Sequence, residues 1–580
     1  MRTFKVFVAA GICLLGFDGN LEAQDAREFW QKEWQRQPQH EASLDRSGWG
    51  RPGFEERREW SGGRQPYGYA PGLGKQLPQV RPNEPRLDRR KMPTVRVTNP
   101  TFFAYTPDKL TNVELAAACK FETTPSKTSE TNAQDRTEAG SKVATAPASA
   151  SAPAASFAQA CAGSPAMAMR LLPQVGDALL RYYSAHPEFL WSDQGRVSAK
   201  AQAAIAVLAA SDAVGLDPTD YRVALPDLTG TDAPATAQVL LRFDLALSAK
   251  VLTYVLDATR GRIDPNRLSG YHDLPRKNVD LVEALAAIAQ SSDVAAQLTQ
   301  RNPENAQFRA LVAELAKQRE GKPETIAKLR IAMEQLRWLP SSLGTRYVFL
   351  NQPAFEVTYV NGSDPPLTMR AVIGKPNSQT YFFTDRIKEV IYNPYWSVPR
   401  SIVINEMLPK LWRNPSYLDR LGYEVSNSRG RQVASNAVDW AAVATNEAGI
   451  DVRQPPGPRN ALGRLKIDFP NKHAIYMHDT PQKHLFAREQ RAFSHGCVRL
   501  QHPREMAAAL LGIGLADIDR KIARGETQTE RVRADIPVYL AYFTAWPDAQ
   551  GNVRYYKDVY GRDAHLAQAI AKTSAVRSAP

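Results

Sequence analysis

His473-Ala474-Ile475-Tyr476-Met477-His478-Asp479-Thr480-Pro481, followed by Arg491-Ala492-Phe493-Ser494-His495-Gly496-Cys497-Val498-Arg499-Leu500, is the stretch from which the rest of this chain is best read. From His473 to His478, apolar Ile475 and Met477 alternate with Ala474, Tyr476 and His478. That is the two-residue period of a half-buried strand, and Asp479-Thr480-Pro481 supplies a turn after it. His478 is thereby placed at a strand end. It meets Cys497 if the segment between them loops out and returns beside the strand, giving a nucleophile with a base. A free thiol ionises at about pH 8.5, so a cysteine nucleophile needs an imidazole or a positive field beside it. His478, His495 and Arg499 all qualify. Gly496, lacking a Cβ, lets its own amide and that of Cys497 point together at a developing oxyanion.

The same residues have plainer readings. A lone cysteine is most often a buried small hydrophobe, although between His495-Gly496 and Arg499 in an exported chain catalysis is favoured. Arg499 serves equally well as a structural ion-pair partner. A zinc site from His478, His495 and Cys497 would lack a fourth ligand and any closely paired ligand spacing. His473 and His484 read as surface or packing residues.

His478 followed by Ser494-His495-Gly496-Cys497-Val498-Arg499 resembles the signature of the YkuD-type L,D-transpeptidases, bacterial enzymes that cross-link the cell wall. Arg337-Trp338-Leu339-Pro340, Asn393-Pro394-Tyr395-Trp396-Ser397-Val398-Pro399 and Asp558-Val559-Tyr560-Gly561-Arg562-Asp563 resemble the long, periplasmic YcbB-like branch. The likeness runs from residue 166 to residue 565. It implies Cys497 as nucleophile, His478 as its base, the Asp479 carbonyl as the group orienting the imidazole, and the amides of Gly496 and Cys497 as an oxyanion hole. Supporting roles for His495 and Ser494, and substrate contacts from Arg499, Tyr476 and Trp396, come with it. No metal or organic cofactor is implied. The implied reaction is attack on the bond before the terminal D-alanine of a peptidoglycan stem, a thioester, and aminolysis by a neighbouring diaminopimelate to give a 3→3 cross-link. Water, a free D-amino acid or a protein amine are alternative acceptors, and a noncatalytic wall-binding protein is the alternative outside enzymes.

Along the chain, Arg2 and Lys5 precede an apolar run, Val6 to Phe17, with Leu21-Glu22-Ala23 as a cleavage site, so residues 1–23 read as a secretory signal. An uncleaved anchor is the other reading. Export to the periplasm leaves Cys119, Cys161 and Cys497, and either the first two pair or all three stay free. Residues 24–100 carry 15 Arg or Lys against 10 Asp or Glu with no sustained period, a disordered segment within a chain of net charge +13. It reads as a solvated spacer or as an attachment to an anionic envelope surface; nucleic acid is a poor partner for an exported protein. Residues 101–165 read as a low-complexity linker with a short helix over 112–120.

Helical periodicity begins near Met167 and predicts an all-helical scaffold domain over 166–325, with helices at 203–210, 239–258 and 281–298. The wall-binding module found between scaffold and catalytic domain in many YcbB-like proteins is missing, because Ala316-Lys317-Gln318 runs through Gly321-Lys322-Pro323 almost directly to Leu329. A mainly antiparallel β catalytic domain follows over 326–565. Its predicted strands include Tyr347–Leu350, Ala354–Val360, Thr368–Ile373 and Glu389–Tyr392, and Val538–Phe543 and Val553–Tyr556 read as a hairpin. Residues 400–470 interrupt it with an amphipathic helix, Ile404–Leu421, read as a lid, and 566–580 read as a flexible tail. The fold class is α+β multidomain, and Gly374-Lys375-Pro376 lacks what a phosphate loop needs.

Overall fold

The computed structural model describes residues 97–119, 156–162 and 167–578. The predicted signal, nearly all of the basic segment and most of the linker lie outside the described residues. Among those described, no helix is long and apolar enough to cross a membrane. The described residues of 98–397 and 453–578 form one compact unit, and residues 398–452 belong to a second.

Ala233–Arg260 is the helix around which the N-terminal domain is assembled. Asp232 accepts a hydrogen bond from the Ala235 N–H at 2.9 Å and Pro234 sits in the first turn, the arrangement that satisfies an orphan donor and wastes no N–H. Leu241, Phe243, Leu247 and Ala249 are buried on different sides of it, as expected of a helix with neighbours all round. Those neighbours include Pro173–Ala185 and Leu281–Gln290. The expected run over 281–298 is two helices, because Asp293 starts a new one, Val294–Thr299, by accepting from the Ala296 N–H at 2.9 Å.

The short helix expected over 112–120 is half strand. Thr111–Glu114 pairs antiparallel with Ala168–Leu171, and only Leu115–Cys119 coils, as a 3-10 turn. Pairing with a partner far along the chain satisfies backbone groups that a two-turn helix would leave open. The ends of the linker are also packed: Leu115, Ala118, Phe157 and Ala160 are buried, and Cys119 and Cys161 form a disulfide.

Helix Pro323–Trp338 follows Ala306–Lys317 with only residues 318–322 between. Arg337 at its end is fully buried. Its guanidinium donates to the Val214 carbonyl at 2.6 Å and to Asn302 Oδ1 at 2.8 Å, and lies over the Phe308 ring.

The catalytic region is built on a mixed sheet of twelve strands among the described residues. In chain order these are β1 His272–Asp273, β2 Arg346–Asn351, β3 Glu356–Asn361, β4 Leu367–Gly374, β5 Phe382–Arg386, β6 Glu389–Tyr392, β7 Leu465–Asp468, β8 Met477–His478, β9 Ala492–Ser494, β10 Val498–Leu500, β11 Gln528–Arg531 and β12 Pro537–Ala541. Their spatial order is β11-β6-β7-β8-β10-β4-β3-β2-β12-β5-β1, with β9 also on β4. Four pairings are parallel: β8 with β10, β9 with β4, β2 with β12, and β1 with β5. The edge strand β1 belongs to the scaffold segment, so the two domains share one sheet.

Several expectations are corrected. The alternating run His473–His478 is a strand only at Met477–His478, because Ala474 adopts φ +52° and turns the chain. Pro537–Ala541 lies between β2 and β5 instead of forming a hairpin, and the hairpin is Ala545–Pro547 with Val553–Tyr555. The interruption of the sheet is shorter than 400–470, since Leu465–Asp468 is already β7. Within the second unit the expected helix breaks into Arg400–Ile402, a π turn Val403–Met407, Leu408–Leu411 and Tyr417–Arg420, with Pro409 and Pro415 in the way. Trp412, Leu418, Val425 and Trp440 are buried there.

The tail is a helix, Arg562–Ser578, with Leu566 and Ala569 buried. Arg577 near its end forks onto Asp257 at 2.5 and 3.0 Å and reaches Asp220 at 3.0 Å. Asp220 also pairs with Arg262 at 2.6 Å, and the Tyr221 hydroxyl donates to Asp257 at 2.7 Å. Burial alone would raise the Asp257 carboxyl, but Arg577, Arg262 and Tyr221 together hold it below the ordinary value. The helix thus ties the end of the catalytic region to the scaffold. Arg577→Ala leaves two buried carboxylates short of a cation and is expected to cost about 3–5 kcal/mol, read as a lowered denaturation midpoint, with Arg577→Lys recovering only part.

Candidate active site

In the parallel pair β8–β10, Met477 faces Val498 and His478 faces Arg499, and the Val498 N–H donates to the Tyr476 carbonyl at 3.0 Å. Strand alternation then sorts the side chains. Met477 and Val498 enter the core, while Tyr476, His478, Cys497 and Arg499 share the opposite face, with His478 and Cys497 as diagonal neighbours across the pair. The segment between them leaves β8, makes the turn Lys483–Ala487, returns as β9 and enters β10.

His478 is buried and its Nδ1 lies 2.5 Å from the Asp479 carbonyl. A carbonyl only accepts, so Nδ1 carries the proton and Nε2 holds the free lone pair. Asp479 is itself held by its carboxylate, which accepts from the N–H groups of Thr480 at 2.7 Å and Arg464 at 2.8 Å and pairs with Lys483 at 2.5 Å. Gly463, at φ +63°, makes that approach possible: a Cβ there would meet Asp479 Oδ2 at 2.3 Å.

Burial, helped by the positive charge of Arg499, lowers the His478 imidazole to about 3, against the pull of the Asp479 carbonyl. Burial likewise pushes the half-buried Cys497 thiol above its ordinary value, opposed by hydrogen bonds from the Tyr476 backbone and hydroxyl and by Lys466 and Arg499. The thiol donates to the Ala474 carbonyl at 3.6 Å. At neutral pH the resting pair is therefore thiol and neutral imidazole.

The Tyr476 hydroxyl bonds the Cys497 sulfur and receives a hydrogen bond from Trp396; burial raises its own pKa well above the ordinary phenol value. Trp396 and Tyr476, expected as substrate contacts, thus line up behind the sulfur. Ser494 shapes the loop, donating to the Cys497 carbonyl at 2.6 Å and accepting the Gly496 N–H at 3.1 Å. Gly496, at φ +120°, adopts a conformation closed to most side chains. Its amide is engaged by Ser494, so of the two amides expected to act together the Gly496 one is already occupied. Exposed His495 meets Lys375 at 2.9 Å, and Arg499 bonds Gln482 Oε1 at 2.5 Å. Among the described residues no three His, Cys, Asp or Glu side chains group as a metal site.

Other residues at the site carried no sequence signal. Lys375 had appeared only in a rejected phosphate motif. His473, read as packing, stacks on Tyr381 and sits 2.8 Å from Asp273 of the scaffold strand, while Lys472 reaches the same carboxylate at 2.9 Å. The scaffold therefore grips the loop that carries Ala474. Only the pairing of β1 into the sheet brings these residues together.

Residues 177–315 match the model of the Scaffold domain, and residues 345–530 match that of the L,D-transpeptidase catalytic domain, YkuD. Over 242 residues the chain is 32% identical to a Haemophilus influenzae protein named "Putative L,D-transpeptidase". The match covers 41% of this chain and 48% of that protein, about half the relative's length.

A neutral resting pair has a kinetic signature. Alkylation of Cys497 by iodoacetamide should rise with pH throughout the range from about pH 6 to about pH 9, because only the thiolate reacts and its pKa is raised. His478 stays neutral until its folded value of about 3 is approached, so no acid limb should appear near the ordinary imidazole value of about 6.5. A rate already level at neutral pH would identify a preformed thiolate–imidazolium pair instead.

Proposed function

The chain belongs to the YkuD-type L,D-transpeptidases that carry a Scaffold domain, and from that premise we propose that it is an exported peptidoglycan L,D-transpeptidase acting through a Cys497 thioester. The observation that carries the proposal is the shared face of Cys497 and His478 on adjacent parallel strands, with the imidazole pinned so that Nε2 is the basic nitrogen. The substrate is the tetrapeptide stem of peptidoglycan. As the Cys497 sulfur attacks the carbonyl between the third stem residue and D-alanine, its proton passes to His478 Nε2. Because the pair is neutral at rest, proton transfer and attack proceed together. The developing oxyanion lies against the Cys497 amide.

His478 then gives its proton to the departing D-alanine amine, and the thioester remains. The amine of a neighbouring stem, by family likeness the side chain of a diaminopimelate, loses its proton to His478 and attacks the thioester. A 3→3 cross-link forms and the thiol is restored. Tyr476, backed by Trp396, steadies the sulfur. The Cys119–Cys161 disulfide supports an oxidising compartment, the periplasm. Water as the acceptor gives an L,D-carboxypeptidase from the same acyl-enzyme, and a protein amine gives a wall-anchored protein.

Mass spectrometry after incubation with disaccharide-tetrapeptide tests this. The unsubstituted protein should yield cross-linked dimer with loss of D-alanine, and Cys497→Ala none. His478→Ala should slow product formation by about 10²- to 10⁴-fold, the usual worth of a general base. Tripeptide without dimer would move the assignment to the carboxypeptidase or to a missing protein acceptor. Unaltered substrate with both proteins would overturn the acyl-transfer reading.

A further inference from the structure

Thr380 lies on no motif in the sequence, yet its hydroxyl donates to the Gly496 carbonyl at 2.7 Å, with Thr380 fully buried. The same hydroxyl accepts the Gly374 N–H at 3.0 Å. Its one proton therefore goes to Gly496, since a carbonyl has none to offer. Gly496 O and Cys497 N–H belong to one peptide plane, and the described chain has no cis peptide bond. In a trans peptide these two groups point in opposite directions. A hydrogen bond that holds the carbonyl on the buried side therefore aims the Cys497 N–H at the opposite, reactive side.

Thr380 is braced in turn. Its carbonyl accepts from Arg562 at 2.8 Å, and Arg562 also binds Gln379 Oε1 at 2.9 and 3.0 Å. The Tyr560 hydroxyl donates to the Gly374 carbonyl at 2.5 Å. Gly374, the last residue of β4, lets the loop after it fold back closely, for a Cβ there would meet the Ser378 carbonyl and the Thr380 N–H. These bonds run from the segment that opens the C-terminal helix to the peptide preceding the nucleophile.

We propose that Thr380 is the positioning residue of the oxyanion hole. It orients and polarises the Cys497 amide through Gly496, and Tyr560 and Arg562 hold it in place. The inference rests on the acyl-transfer reading above, because a peptide plane has this importance only if an oxyanion forms against it. With the Gly496 amide engaged by Ser494, the Cys497 amide carries that load, so its direction should weigh on the rate.

Two reactions of the same sulfur separate this role from a general structural one. Alkylation by iodoacetamide is a displacement at saturated carbon; it needs the thiolate and generates no oxyanion. Release of D-alanine from disaccharide-tetrapeptide needs both. Thr380→Val, which keeps the shape and removes the donor, should lower kcat for D-alanine release about 10- to 100-fold with KM little changed. Its alkylation rate and pH profile should match the unsubstituted protein, and Thr380→Ser should restore turnover. Tyr560→Phe leaves the Thr380 hydroxyl and removes a brace, so a smaller loss in the same reaction alone is expected.

Equal D-alanine release by Thr380→Val, or parallel loss of release and alkylation in both Thr380→Val and Tyr560→Phe, would overturn the proposal. If Thr380→Val does not fold, loss of release without loss of alkylation in Tyr560→Phe supports it, and unchanged release there overturns it. Failure of the unsubstituted protein to release D-alanine would instead overturn the acyl-transfer reading, and this inference with it.

Discussion

Two backbone pairings, Met477 with Val498 and His478 with Arg499, are the constraint on which the site depends. Parallel neighbours need a crossover, so the chain must leave after His478, travel and return on the same side. The turn Lys483–Ala487 and strand β9 are that journey. Register then decides everything else: a one-residue slip of β10 would send Cys497 and Arg499 into the core and expose Val498, and a slip of β8 would do the same to Tyr476 and His478 and expose Met477, so either slip parts the imidazole from the thiol. Burial of Met477 and Val498 is what makes either slip costly.

A second constraint is electrostatic. The imidazole is buried beside a guanidinium and the thiol is partly buried, so each is driven towards its uncharged form. Desolvation outweighs the modest help the sulfur receives from Tyr476, Lys466 and Arg499. What survives is directional: a carbonyl fixes the imidazole tautomer, and the hydroxyls of Ser494 and Thr380 hold the two sides of Gly496, next to the thiol. A site of this kind keeps its thiol protonated at rest, and a protonated thiol is less readily oxidised than a thiolate.

The scaffold takes part in this geometry. Its strand His272–Asp273 extends the catalytic sheet, and Asp273 holds His473 and Lys472 in the loop before β8. At the other end of the chain Arg577 binds Asp257 and Asp220 on the scaffold. The motifs around Arg337 and Asp558–Asp563, which carry no reactive group of their own, are also explained. Arg337 fastens the connecting helix, while Asp558 accepts from the Arg562 N–H at 2.9 Å and from the Tyr542 hydroxyl at 2.5 Å, starting the last helix where Tyr560 and Arg562 bond Gly374, Gln379 and Thr380.

The sequence by itself determined the local features: the helical scaffold, most strands around the catalytic region, and His478 at a strand end with the Asp479 carbonyl behind its imidazole. These follow from periodicity, capping residues and a dense motif, all written within a few residues of one another. Only the tertiary structure decided which strands pair, that Ala474 turns the chain, that residues 562–578 are a packed helix, and that Thr380, Asp273 and Lys375 reach the active loop. Each of those depends on partners distant in sequence, where hydrogen bonds and buried charges are satisfied by contacts no local pattern records. Arg577 shows the reason most clearly: on an alanine- and serine-rich tail it looks solvated, and only the two scaffold carboxylates waiting below it make burial favourable.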